Sequence, residues 1–369
     1  MIPVNTPNLS GREKEYLIEC IDSGWISSEG PFVKRFENEF SNYIGRSHGI
    51  AVSNGSAALD VAIRALNLPK GSEVIVPSFT IISPVQSLVN EGLIPVLVDS
   101  QTDTWNMDVE LIETKISKNT RAILVVHIYG LPTDMDPILE LAKNYDLKIV
   151  EDAAEMHGQA YYGKKCGSFG DISTFSFYPN KHITTGEGGM ILTDDDQLAQ
   201  RCKELRNLCF TPARRFVHHE LGWNYRMTNM QAALGVAQLE QIEKIIERKR
   251  EIGDRYNQNL KGVYRLQLPL TKTSYAHNIY WVYGLVAESE ELANELQYKF
   301  RELKIGTRPF FWCMHEQPVF HQMSLFNNES YPVAEKLARQ GFYIPSGLGL
   351  TNDEIDHVSE ALIGMLRDG

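Results

Sequence analysis

The hydrophobic pattern gives the chain two textures. Between about residues 50 and 193, short apolar runs alternate with stretches of helical period. Val74-Ile75-Val76, Pro95-Val96-Leu97-Val98, residues 122–128, Lys148-Ile149-Val150, residues 172–177 and residues 189–193 read as strands. Several are unbroken apolar runs, as expected of strands buried on both faces. Between them, Ile138, Leu141, Ala142 and Tyr145 recur at i, i+3, i+4 and i+7, one face of a helix. Such alternation predicts an α/β fold with a mainly parallel sheet and right-handed crossovers.

A long helical pattern follows over residues 229–256, with Ala233, Leu234, Ala237, Leu239, Ile242, Ile245 and Ile246 among its apolar positions. After Gly262 the texture changes. Tyr280-Trp281-Val282-Tyr283 reads as a short strand, and residues 292–303 as an amphipathic helix. A boundary inside the long helix divides the chain into a large domain, residues 1–245, and a smaller C-terminal α+β domain, residues 246–369.

Composition narrows the function by exclusion. The 369 residues carry a net charge of −11, against the basic surface that general nucleic-acid binding requires. A local basic pocket for a phosphorylated small molecule remains compatible with that charge. The five cysteines, Cys20, Cys166, Cys202, Cys209 and Cys313, are scattered without a C-x-x-C pair. That pattern suits free thiols in a cytoplasmic protein and argues against a disulfide framework or a metal site. Met1-Ile2-Pro3-Val4-Asn5 shows no basic stretch leading into an apolar one, and no run is long enough to span a bilayer.

The common phosphate motifs fail. Gly163-Lys164 is followed by Lys165 rather than Ser or Thr, and Gly186-Glu187-Gly188-Gly189 lacks the last glycine of a dinucleotide fingerprint and leads into a strand. Three other segments fit one another. Ser53-Asn54-Gly55-Ser56-Ala57 joins an apolar run to a helical pattern, so the amides of Gly55, Ser56 and Ala57 with the Ser56 hydroxyl can cradle an anion, or simply start a capped helix. Asp152 follows a strand, where it can pair with a protonated ring nitrogen or cap the next helix. Lys181 sits in a turn-rich loop between two apolar strands, placed for Schiff-base chemistry or as a surface lysine covering a strand edge. Together with Ser176, these residues supply what pyridoxal 5′-phosphate needs: a phosphate cradle, a partner for the pyridine nitrogen and an amine for the aldehyde.

The ordered motifs resemble the DegT/DnrJ/EryC1/StrS sugar aminotransferases, which are fold-type I pyridoxal phosphate enzymes with an aspartate-aminotransferase-like fold. The resemblance runs through Gly24-Trp25-Ile26-Ser27-Ser28-Glu29-Gly30-Pro31, Ser53-Asn54-Gly55-Ser56, Val76-Pro77-Ser78-Phe79-Thr80, Val126-His127-Ile128-Tyr129-Gly130 and Glu151-Asp152-Ala153-Ala154-Glu155. It continues through Ser176-Phe177, Lys181, Gly186-Glu187-Gly188-Gly189, Asn224-Tyr225-Arg226-Met227-Thr228-Asn229 and Gly306-Thr307-Arg308-Pro309-Phe310-Phe311. It implies Lys181 as the Schiff-base lysine, Asp152 at the pyridine nitrogen and Glu155 near the ring's phenolic oxygen. Gly55, Ser56 and Ser176 would bind phosphate, with Asn224 reaching it from the neighbouring subunit of a homodimer. Ile81 departs from the pattern, since relatives usually place a ring-stacking aromatic there. Some relatives replace the lysine with histidine and are dehydratases, but here the lysine slot holds Lys181 and His182 comes next.

The implied reaction is a two-stage transfer of the amino group of L-glutamate, by way of pyridoxamine phosphate, to a nucleotide-linked keto-sugar. Arg226, Arg248, Arg250 and Arg308 are candidates for the carboxylate and pyrophosphate, although Arg248 and Arg250 also suit a solvated helix face. His315 reads equally as a sugar-pocket or a structural residue. Glu155 resembles the branch that aminates GDP-linked 4-keto-6-deoxymannose, with UDP- and dTDP-linked sugars and C3 amination left open. A non-enzymatic regulator on the same fold and a nicotinamide-dependent oxidoreductase are the readings from other classes.

Overall fold

The computed structural model describes residues 1–210 and 214–367. Its strands, in chain order, are β1 (His48–Val52), β2 (Glu73–Pro77), β3 (Ile94–Val98), β4 (Thr120–Val126), β5 (Lys148–Asp152), the short hairpin β6 (Ala160–Tyr161) and β7 (Lys164–Lys165), β8 (Ile172–Ser176) and β9 (Gly189–Thr193). After these come β10 (Leu266–Gln267), β11 (Tyr283–Ala287), β12 (Arg308–Pro309) and β13 (Gly341–Ile344). Seven of them form one sheet in the order β1-β9-β8-β5-β4-β2-β3. Pairing is parallel from β3 across to β8, and β9 runs antiparallel to both β8 and β1.

Alternation within the strands shows why the runs are apolar throughout. Val74 and Val76 of β2 enter one core and Ile75 the opposite one, and Leu124 of β4 is likewise opposed to Ile123 and Val125. The sheet is therefore covered on both faces, as the continuous hydrophobic pattern requires. Parallel pairing brings Pro77, Val126, Asp152 and Ser176 to one edge, the carboxyl edge where α/β sheets bind ligands.

The second sheet, β10-β11-β13-β12, is wholly antiparallel. The helices Glu290–Glu302 and Asn352–Arg367 close its core through Leu296, Phe300, Ile355 and Leu362. Among the described residues, no helix is long and apolar enough to cross a membrane.

Two expectations need correction. The pattern over residues 229–256 is two helices, Asn229–Leu239 and Ile242–Asn259, separated at Glu240 and Gln241. The break is held by side chains from the N-terminal region: the Tyr16 hydroxyl donates to Glu240 Oε1 at 2.6 Å, and Arg35 reaches the same oxygen at 2.9 Å. Apolar periodicity carries through such a break because both helices feed the same core. The Ile242–Asn259 helix then spans two cores, Ile242 and Ile246 joining the large-sheet side and Ile252 and Tyr256 the smaller sheet.

The strand expected over residues 280–283 begins only at Tyr283. Tyr280 lies in the left-handed region at φ 47°, and Asn278 Oδ1 takes its N–H at 2.7 Å, which turns the chain before the sheet starts.

Candidate active site

The carboxyl edge of the large sheet opens into a cavity of about 530 Å³. Gly55, Ser56, Asp152, Glu155, Ser176 and Lys181 all line it, gathered from segments more than a hundred residues apart.

The phosphate-cradle segment is the start of the Gly55–Ala65 helix. Asn54 caps it from an extended conformation, accepting the Ala57 N–H at 2.8 Å. That bond corrects the expectation for Ala57, whose amide is spent on the cap and whose side chain is buried away from the cavity. Gly55 and Ser56 keep N–H groups with no acceptor inside the helix, at its positive end. Ser56 Oγ lies 2.8 Å from Ser83 Oγ, which opens the Ser83–Asn90 helix, so two helix starts converge on one point. A Cβ on Gly55 would come within 2.8 Å of Ser176 Cβ, so only glycine lets the helix start lie this close to the end of β8.

Asp152 ends β5 and is almost wholly buried. No helix follows; its Oδ1 accepts the Ala154 N–H at 3.1 Å. Burial pushes its carboxyl upward, and the Ala154 N–H and Lys181 pull against that shift. Behind it, His127 Nδ1 accepts the Thr133 N–H at 3.0 Å, which leaves its Nε2 to donate to Glu151 at 3.1 Å.

Lys181 projects from the β8–β9 loop. That loop is shaped by the Lys181 N–H to Tyr178 O at 2.9 Å, by the Thr184 hydroxyl and Thr185 N–H on Phe177 O, and by Gly186 at φ 80°. Lys181 Nζ lies 3.7 Å from Glu155 Oε1 and 3.9 Å from the centre of the Trp281 ring. Burial lowers its pKa, opposed by Glu155 and Asp152. Burial likewise pushes Glu155 up to about 8, against the pull of Lys181 and of the Tyr129 N–H. His182 points away into the interior, with Nε2 3.2 Å from Ile279 O.

The donor set fits pyridoxal phosphate. Free amides and hydroxyls stand at one end of the cavity, a buried carboxylate at the sheet edge, and an amine between. Thr80 and Asn180 line the cavity, and Thr80 Oγ1 and Asn180 Oδ1 have no hydrogen-bond partner among the described residues, polar atoms that a bound group can satisfy. Ile81 lines it as well, half-exposed.

None of the five substrate candidates lines this cavity in its own chain. Arg248 is spent on structure, donating to Leu350 O at 2.7 Å and to Asn352. His315 is buried between Ser78 Oγ at 2.7 Å and Glu335 at 3.1 Å. Arg226 donates to Asn207 Oδ1 at 2.6 Å, and Arg308 is exposed on the edge strand β12. Arg250 faces a separate groove with Lys272 and His277. Asn224 is exposed and pairs through its backbone with Asn207, outside the cavity.

Sequence reasoning missed Ser83, Asn180, Trp281, Phe311 and Tyr343, all of which line the cavity. Ser83-Pro84 carries a helix-start signal that could have been used. Trp281, inside an apolar run, reads as ordinary core.

Comparison with known proteins agrees with the geometry. The profile of the DegT/DnrJ/EryC1/StrS aminotransferase family matches residues 7–363. The chain is 42% identical over 361 residues to the GDP-perosamine synthase of Escherichia coli O157:H7, covering 98% of this chain and 97% of that one. The solved structure of S. venezuelae DesV in complex with a ketimine intermediate is 32% identical with a TM-score of 0.90, covering 96% of this chain and 94% of that one. A Streptococcus pneumoniae protein described as a sugar aminotransferase, in its PLP form, is 25% identical with a TM-score of 0.93, covering 100% of this chain and 99% of that one. The chain belongs to the DegT/DnrJ/EryC1/StrS aminotransferase family and is a fold-type I, pyridoxal-phosphate-dependent sugar aminotransferase.

Proposed function

We propose that this enzyme moves the amino group of L-glutamate to GDP-4-keto-6-deoxymannose, forming GDP-perosamine for amino-sugar and O-antigen synthesis. The observation that carries the reading is the 42% identity to a GDP-perosamine synthase over almost the whole of both chains. Glu155 beside Lys181 supports it.

Pyridoxal phosphate, when bound, supplies an aldehyde that takes up the amine and a ring that accepts electrons from the donor carbon. The chain's own groups divide the remaining work. Gly55 and Ser56 amides, with the Ser56 and Ser176 hydroxyls, would hold the phosphate. Asp152, the buried carboxylate at the sheet edge, would pair with the ring nitrogen and favour its protonated form. Lys181, whose amine stands inside the cavity 3.7 Å from Glu155 Oε1, would be the group that holds the aldehyde end and, when free, the base placed to move a proton at the donor's α-carbon. Glu155, held by the Tyr129 N–H, would face the ring's hydroxyl.

Asn224 lies outside its own cavity, which suits a homodimer in which it completes the phosphate site of the second copy. The division at residues 245 and 246 is proposed as the domain boundary, and the cytoplasm as the place of action.

The test is to offer L-glutamate with a panel of GDP-, UDP- and dTDP-linked keto-sugars and to identify the products by mass spectrometry. GDP-perosamine as the fastest product is expected. Rapid turnover of a UDP or dTDP sugar with none of the GDP sugar overturns the assignment.

A further inference from the structure

We propose that Trp281 is a positioning residue whose indole face holds the amino group of Lys181 whenever that amine is not bonded to the cofactor. The proposal rests on Lys181 as the cofactor's lysine.

Three observations carry it. First, Lys181 Nζ stands 3.9 Å from the indole centre, well inside the range of cation–π attraction. Its carboxylate neighbour, Glu155 Oε1, is 3.7 Å away, beyond a good hydrogen bond. Second, the ring is fixed to the same loop as the lysine. Its indole N–H donates at 2.9 Å to the carbonyl of Asn180, the residue preceding Lys181. Third, the Trp281 backbone is anchored and its ring has aromatic neighbours. The buried Lys249 Nζ donates to Trp281 O at 3.0 Å and to Ser346 O at 2.6 Å, and the Tyr129 and Phe311 rings flank the indole at 5.7 and 6.4 Å.

The chemistry gives this arrangement a use. A released lysine has four rotatable bonds, and an unconstrained amine would spend most of its time away from the reacting carbon. A carboxylate strong enough to hold the ammonium could also take its proton. An aromatic face attracts the ammonium through its quadrupole and cannot accept the proton in exchange. The titratable groups coupled to the amine are Asp152, which ends β5, Glu155 three residues further on, and the buried His157 and His182. Burial disfavours the charged amine here and the two carboxylates oppose that shift; the ring face 3.9 Å away would oppose it as well.

The experiment uses the holoenzyme in its pyridoxamine phosphate form, where Lys181 is free. Trace acetylation across pH, read by peptide mass spectrometry, gives the titration midpoint of Lys181. Trp281→Leu removes both the face and the indole N–H, whereas Trp281→Phe keeps a face and loses only the N–H. The midpoint is expected to fall by about 0.5 to 1.5 pH units in Trp281→Leu and by less than half of that in Trp281→Phe. In Trp281→Leu, kcat should drop about three- to tenfold with KM for L-glutamate nearly unchanged. Equal midpoints in wild type and Trp281→Leu overturn the proposal, as does a Trp281→Phe midpoint matching Trp281→Leu.

If Trp281→Leu does not fold, biosynthetic fluorotryptophan decides. It preserves shape and N–H while weakening the ring face, so the midpoint must still fall, and an unchanged value overturns the proposal. Borohydride trapping with peptide mapping separates the two levels. Cofactor trapped on another lysine defeats the reading of Lys181 itself, whereas cofactor trapped on Lys181 with no effect of Trp281 defeats only this inference.

Discussion

Glu155 meets Lys181 with one carboxylate oxygen and the backbone with the other: Oε1 lies 3.7 Å from Lys181 Nζ, while Oε2 accepts the Tyr129 N–H at 2.7 Å. The second contact fixes the rotamer, so the first oxygen is the one presented to the reacting centre. The pair therefore couples a proton-bearing amine to a carboxyl group that burial has made unusually reluctant to ionise.

That reluctance predicts a pH signature. The Glu155 pKa rises from 4.5 to about 8 on folding. A raised folded value means that the group's stabilising contribution is complete below the unfolded pKa and is lost as pH rises through the folded one. Wild type should therefore lose stability relative to Glu155→Gln as pH climbs from 4.5 to 8. Urea unfolding midpoints of the two proteins across that window check it, and a constant difference would count against the buried proton.

Lys181→Ala should abolish the visible absorbance of the lysine–cofactor bond and lower transamination by at least about a thousandfold. His182 offers no substitute, since it points into the interior and engages Ile279 O. Spectra of the purified variant and product formation from L-glutamate measure both effects. A yellow, active Lys181→Ala protein would remove Lys181 from the chemistry.

Gly55→Ala places a methyl group 2.8 Å from Ser176 Cβ at the helix start. Cofactor affinity should weaken by about tenfold or more, because the amides that face the phosphate must move to relieve the contact. Adding Ser176→Gly opens the space and should recover part of the loss, despite removing one hydroxyl. Cofactor titration of the single and double variants tests this coupling.

Among the described residues, the hydrogen bonds of Lys249 go to the carbonyls of Trp281 and Ser346 and to no carboxylate. Burial lowers its pKa from 10.5 to about 7. Between those values the unfolded chain binds the proton and the folded one does not, so this group adds stability as pH rises through the window and none of that gain is present below 7. Wild type should gain on Lys249→Met between pH 7 and the upper end of that window, measured by chemical denaturation. An equal pH response in both proteins would show that Lys249 stays charged in the fold.

Much of the fold was legible because continuous apolar runs and strand–helix alternation leave few alternatives to a doubly covered parallel sheet. The gathering of the candidate residues at the carboxyl edge was legible for the same reason. Asp152 and Ser176 end strands, and Lys181 lies in the loop after one, so their meeting follows from parallel pairing. Periodicity failed where side-chain bonds rather than hydrophobic spacing set the backbone. It ran through the break at Glu240 and Gln241, which Tyr16 and Arg35 hold, and through the turn at Tyr280, which Asn278 holds.

The sequence by itself determined the chemistry: an amine, a carboxylate and an anion cradle in an order that admits pyridoxal phosphate. Only the tertiary structure decided which polar groups remain free to serve it. Capping consumed the Ala57 amide, packing consumed Arg248 and His315, and the chain's turn at Tyr280 brought Trp281 against Lys181. The physical reason is that a hydrogen bond or a ring contact depends on distances of a few ångströms between residues as far apart as Lys181 and Trp281. No local pattern of hydrophobic and polar positions encodes those distances.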